Sequence, residues 1–452
     1  MKHLLLKKFD LILIVTLLLS IILIFYRGLT VFFFQDDFIN MYIGWIKNID
    51  DLKTMLFSFQ YYPYSAYRPI PYAIFGFLII NLFHLNTVVT HIVMYLIHLF
   101  NSFLLYRISQ NLNLSKLQSF LTAFLYATSA IHIGALYWWS GHYVTIGTTF
   151  LLLSMIFYLK YIKNKSSNFF WLTIFLYIGT LLSNESLLLS PIIFFAIAKA
   201  KSFKLLTSVT IISVLSFLFR KNVSKFGELP DYTIGTLPQI LNTLKWYLAR
   251  LLNIPESVKS IQSEQKILFI TATILMLFII FIKIYYSKKD IYKTNILKLG
   301  LIIFFTCSFP YFLLPHHLSS YYLSSGFLGI ALIIGYIFGL RTRNPSIGNI
   351  SLAFFIVFWM VTAVLNVQYI NKTSWLVWRG EIAKAYIDKV LTKYPELPKG
   401  ATVVFSQTKV PLGELKVALF SDKALRLYYN DKSLNVEYGK TKLQKNIFVV
   451  SD

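Results

Sequence analysis

Two adjacent acids, Asp36 and Asp37, stand in VFFFQDDFINMYIGW, just beyond the first long apolar run. Acids are scarce in this chain: 19 Asp and Glu against 43 Lys and Arg, a formal net charge of +24. An ionisable group at the edge of a hydrocarbon layer is costly and tends to be functional. Adjacent residues point about 100° apart on a helix and to opposite faces of a strand, so a symmetric dyad is not expected. One acid should face a cavity as general base. The other should meet a cation, a backbone donor or a neighbouring arginine. The plainer alternative is an acidic cap satisfying backbone amides after the first helix.

Other polar residues gather in short turns. Arg68, in YRPIP, can grip a phosphate bidentately or simply snorkel at an interface. Glu185, in LLSNES, can sit in the first turn of a helix capped by Ser183 or Asn184, or line a cavity or bind a metal. His316 and His317, in LPHHLSSYYLSSG, can hold a metal, hydrogen-bond a phosphate, or remain wet interfacial histidines. Adjacent spacing argues against a helical zinc site. His132 and His142 flank YWWSGHY. Trp138 and Trp139 there are expected to join the interfacial aromatic belt, with stacking on a sugar ring as the alternative.

Positioning these groups falls to a chain that is 56% hydrophobic, 17% aromatic and only 14% charged. That excludes a soluble globular domain. Apolar runs of about 17–25 residues suit a hydrocarbon core of about 30 Å. The first, about residues 9–24, lacks a small-residue cleavage site and reads as a retained helix, not a signal peptide. With runs at 88–106, 117–131, 144–161, 169–183, 186–198, 205–219, 265–282, 297–314, 321–340 and 349–369, about eleven spans are expected. The single cysteine, Cys307, excludes an internal disulfide or a thiolate metal cluster.

Charge orients the runs. Lys2, Lys7 and Lys8 place the N-terminus in the cytoplasm by the positive-inside rule. Turns on that side carry Arg107 and Lys116; Lys160, Lys163 and Lys165; Lys199, Lys201 and Lys204; Lys283, Lys288, Lys289, Lys293 and Lys298; and Arg341 and Arg343. The opposite short turns, 132–143, 184–185 and 315–320, carry no Lys or Arg. The first outer loop, 27–87, therefore contains an interfacial helix at 71–83, too short to span and led by prolines. Were it a span, every later turn would invert. A second amphipathic stretch, LPQILNTLKWYLARLL with Lys245 and Arg250, lies in the outer loop 220–264. The transmembrane domain thus covers 1–370. The polar tail 371–452, helix-like from Arg379 to Thr392 and then strand-like in ATVVF and NIFVV, is expected outside as a small α/β appendage. The fold class is an α-helical polytopic membrane protein of the plasma (inner) membrane.

Taken in order, the acidic pair, YRPIPYAIFGFLI, HIVMYLIHLFNSFLLYRI, WWSGHYVTIGTTFLLLSMIFYLKY, LLSNESLLLSPIIFF and HHLSSYYLSSGFLGIAL resemble the GT-C membrane glycosyltransferases. The likeness is to the protein O-mannosyltransferase-like branch and its bacterial and archaeal relatives. These include the tetratricopeptide-bearing transmembrane mannosyltransferases, whose repeats the tail lacks. It covers about residues 1–370. It implies a polyprenyl-phosphate-linked sugar donor and inverting transfer on the outer face, with Asp36 as catalytic acid and Asp37 as its acidic neighbour. Arg68 stands where relatives carry a basic residue before Pro. Glu185 matches the acid of a Lys-Glu motif, with Asn184 replacing the lysine. His142 occupies the place of a frequent Arg. Ser320 and Tyr321 replace an Arg-Tyr pair, which leaves His316 and His317 as phosphate contacts.

The acceptor (protein, glycan or lipid) is left open, as is a divalent metal ion. Anionic lipids are expected partners, and nucleic acid is not. An O-antigen-type polymerase or ligase would use an outer loop rich in Arg and His, unlike this acidic one. A lipid-sugar flippase or transporter would show charged or broken helices at mid-membrane and internal repeats. The runs instead read as clean spans with polar groups at one face; Pro191 and Pro310 are the prolines deep within later runs.

Overall fold

In hydrocarbon every backbone N–H and C=O must be satisfied within its own segment, so long apolar runs become helices. The computed structural model describes residues 8–57, 67–198, 202–223, 232–256, 263–287, 295–439 and 447–451. Lys2, Lys7, Lys199, Lys201, Lys288, Lys289 and Lys293 lie outside the described residues. Among the described residues, seven helical stretches are long and apolar enough to cross a membrane: Asp10–Thr30, Thr87–Asn111, Trp139–Asn164, Phe203–Lys221, Gln265–Tyr286, Asn295–Phe312 and Pro345–Thr373. The protein is a helical membrane protein.

The remaining apolar runs differ from the expected clean spans. Run 117–131 breaks: Lys116–Thr128 and Ala130–Tyr137 meet at a 43° bend. The break leaves the Ala130 N–H free of the helix ladder, and Asn253 Oδ1 accepts from it at 2.9 Å and from the Ser129 hydroxyl at 3.3 Å. Runs 169–183, 186–198 and 321–340 form the shorter helices Ser167–Ser183, Pro191–Ala198 and Phe327–Phe338. The last two are shortened by 3₁₀ turns at Glu185–Leu189 and Ser320–Leu323. By length and composition the count is seven, or eight with the bent pair as one span.

Contacts gather the basic turns at one end of the bundle. Arg107 lies 3.9 Å from Asp10, and Lys163 reaches Asn111 at 3.4 Å. Gln118 donates to Tyr336 O at 3.1 Å, and Lys283 donates to Leu340 O at 2.9 Å. These links join ends of six helices, so successive helices among them alternate direction.

At the opposite end, helix Asp36–Ile43 packs against a π-helical turn, Pro69–Ile74, that continues as helix Phe75–Asn81. The two prolines start this segment, and its 13 residues (Pro69–Asn81) are too few to span. The crossing is made between glycines: a Cβ on Gly44 would sit 2.7 Å from the Gly76 backbone. Beyond Trp375 the chain forms helix Trp375–Lys393 and a three-stranded parallel sheet. Its strands are β1 (Thr402–Phe405), β2 (Asn435–Tyr438) and β3 (Ile447–Val450), in the order β2-β1-β3. The central strand is the most buried, with Val403, Val404 and Phe405 covered, as a parallel sheet requires. Gly44→Ala should overpack the glycine crossing and destabilise the protein by about 1–3 kcal/mol. Thermal unfolding of the detergent-purified variant checks this, and an unchanged midpoint would refute the close approach.

Candidate functional site

The acid pair opens helix Asp36–Ile43, and its two members have different surroundings. Asp37 is 1% exposed. Its Oδ1 accepts from Ser140 N at 2.7 Å and its Oδ2 from Phe34 N at 3.2 Å. It ties the stretch after the first apolar helix to the Trp139–His142 turn. Burial raises its carboxyl to about 7, against the pull of these two backbone donors. Asp36 is half-buried. Burial raises its carboxyl to about 6, while the Gln35 side chain and the charge of Arg379 pull it down. Asp36 is the member of the pair that keeps partial exposure.

Arg68 is buried under a neighbouring ion-pair cluster. Its Nε donates to Glu185 Oε2 at 2.8 Å, its Nη2 pairs with Glu185 Oε1, and its Nη1 donates to Tyr72 Oη at 2.8 Å. The guanidinium lies over the Tyr143 ring at 3.4 Å. Its fork is therefore engaged by a carboxylate and not open for a phosphate, the role expected of it from sequence. Arg220 approaches Glu185 at 3.7 Å, donates to Tyr67 O at 2.8 Å and also bonds Leu181 O. Burial pushes the Glu185 carboxyl up, but the two arginines overcome this and hold it at about 2. Asn184 caps the turn by accepting from Ser186 N at 3.1 Å. Two guanidinium charges against one carboxylate leave this cluster net positive.

Tyrosines connect the cluster to the acid. Tyr72 and Tyr232 each lie within electrostatic reach of Asp36, Arg68 and Glu185. Tyr232 Oη meets His317 Nε2 at 2.9 Å, and Tyr322 Oη bonds the same nitrogen. Glu256 accepts from Ser320 N at 2.6 Å, at the turn where a basic residue was sought. The arrangement offers a titratable carboxylate, a positive field and hydroxyl donors at one end of the bundle.

Several expected site residues sit elsewhere. His142 is 1% exposed, its Nδ1 bonded to Trp139 O and its ring against Phe75 and Trp139. It cannot reach a phosphate from there. His316 is exposed while His317 is half-buried, so the two imidazoles diverge. Trp138 and Trp139 are buried rather than belted at an interface. Trp138 stacks on Phe34 and meets Trp375 and Tyr321 edge-on; Trp139 packs on Tyr72. Tyr321 is a packing residue of this aromatic cluster. Among the described residues no three His, Cys, Asp or Glu side chains converge as metal ligands.

Sequence reasoning missed Arg220, Arg379, Gln35 and the tyrosines 72, 143 and 232. Arg220 had a signal: it is an arginine at the expected outer end of an apolar run, against the charge asymmetry. Arg379 had none, because its role arises from packing of the distant tail. No family model matches the chain, and no curated protein does either.

Glu185→Gln should leave two buried guanidiniums without their anion and cost about 3 kcal/mol or more of stability. In the unaltered protein the Glu185 contribution is complete above about pH 4.5 and fades as pH falls toward 2. A stability–pH curve should therefore lose this acid-side slope in the variant.

Proposed function

We propose that this chain is a polytopic membrane glycosyltransferase of GT-C type, transferring a sugar from a polyprenyl-phosphate-linked donor with inversion. The carrying observation is Asp36, a half-buried carboxyl raised to about 6 beside a net-positive, tyrosine-lined cluster. All eleven apolar runs are read as crossings, helices Pro191–Ala198 and Phe327–Phe338 being extended by the 3₁₀ turns before them, with the basic turns cytoplasmic. Asp36 and the C-terminal unit then face outward in the plasma membrane. Asp36 accepts the proton of an acceptor hydroxyl as its oxygen attacks the anomeric carbon. The bond from that carbon to the phosphate oxygen breaks, and its electron pair leaves with the lipid phosphate. A base near neutrality suits such a step. The leaving phosphate is stabilised by the field of Arg68 and Arg220 and by hydroxyl donors such as Tyr232 and Tyr322. Protein, glycan and lipid acceptors all fit this chemistry, with anionic lipids bound at the basic end.

One observation favours a second reading. The 43° break at Ser129 lies near the buried, contacting pair His98 and His132, whose ring centroids are 4.5 Å apart. Broken helices and buried ionisable groups suit a lipid-linked sugar transporter.

Asp36→Asn should reduce transfer about 10²–10⁴-fold while donor binding persists. The unaltered enzyme should lose rate as pH falls through about 6. Purified protein in liposomes with a polyprenyl-phosphate sugar checks both; donor crossing the bilayer with no sugar transferred would establish the transporter instead.

A further inference from the structure

The acid-bearing stretch is held by the C-terminal unit at three points. Gln35 donates its backbone N–H to Ala418 O at 2.8 Å, and its Oε1 accepts from Arg379 Nη1 at 2.8 Å. Gly380 approaches Phe32 so closely that an added Cβ would lie 2.9 Å from the Phe32 carbonyl oxygen. Gln35 itself adopts φ 51° and ψ −124°. A side-chain-bearing residue persists there when its surroundings over-determine it. Gln35 is the N-cap of helix Asp36–Ile43, so its backbone angles set how Asp36 leaves the loop.

Arg379 is anchored on its other sides. Its Nη2 meets Glu414 Oε2 at 3.3 Å, and its guanidinium lies 5.5 Å from the Trp375 ring centroid and 5.2 Å from that of Trp378. We propose that Arg379 is a positioning residue for Asp36. Through Gln35 it holds the strained turn that presents the carboxylate, and it sets its positive charge against that carboxylate. The inference rests on the reading of Asp36 as the base. The groups facing Asp36 are Asp37 on its own helix, Tyr72 from the proline-led turn, Tyr232 from the outer segment, and Gln35 with Arg379. Of these, Arg379 is the cation that favours the ionised form, and Asp37 opposes it.

The test uses the full chain in nanodiscs, with variants R379Q, R379K and Q35G. Gln35→Gly tolerates the positive φ and removes the side-chain links to Arg379 and to Asp36, so it guards against simple misfolding. The ionisation of Asp36 is read as an infrared carboxylate titration, taken as a difference against Asp36→Asn. R379Q should raise the Asp36 midpoint by about one pH unit, and Q35G, which also removes the Gln35 hydrogen bond to Asp36, should raise it at least as much. R379K should leave it nearly in place. The acid limb of the rate profile should move by the same amount, with KM for the lipid-linked sugar unchanged. A midpoint unmoved in R379Q, or moved equally in R379K, overturns the assignment. Full activity in Asp36→Asn would instead remove the base reading, while the infrared titration would still decide whether Arg379 governs that carboxylate.

Discussion

The structure at the polar end depends on one buried ion pair. Glu185 receives two parallel donors from Arg68, and Arg220 stands behind it. Three segments distant in sequence meet there: the stretch before Pro69, the turn after Ser183 and the end of helix Phe203–Val223. Desolvating such charges costs several kcal/mol per ion, and only close geometry with added hydrogen bonds offsets it. Tyr72, Tyr67 O and Leu181 O supply those bonds. The cluster is therefore weak as a source of net stability and strong as a constraint, because any displacement leaves a charge unpaired.

Aromatic packing supplies the stabilisation that the charges do not. Phe34, Trp138, Tyr321 and Trp375 form one contiguous cluster that joins the acid loop, the Trp139–His142 turn and the C-terminal helix. Each such ring buries about 150–250 Å², and favourable pairs add about 0.5–1.5 kcal/mol each. This explains why the tryptophans are interior. A tryptophan at an interface keeps one end wet, whereas these fill the joint between the membrane bundle and the unit docked on it.

The acid pair divides its labour by environment. Asp37 is occupied by two backbone donors and fixes the loop; Asp36, one residue earlier, keeps an open side and meets Gln35 and Arg379. Both carboxyls are raised, and of the two Asp36 keeps partial exposure. The tail is therefore bound up with the chemistry proposed for the other end of the chain, since it reaches back across the sequence to the residue preceding the acid.

The sequence by itself determined the class of protein, the helical runs and the end at which acids and histidines gather. Hydropathy and the Lys and Arg distribution are additive, local properties, so they can be read without a fold. Asp36, Asp37, Arg68 and Glu185 were also recognisable, because an ionisable residue near hydrocarbon is conspicuous by its cost. Which partner each one takes was decided only by tertiary structure. Arg68 meets Glu185 and not an open site, Trp138 faces Trp375 and not lipid, and Arg379 faces Gln35. Those pairings span 117, 344 and comparable numbers of residues along the chain, and no local pattern encodes a contact that exists only once the bundle and the tail have packed together.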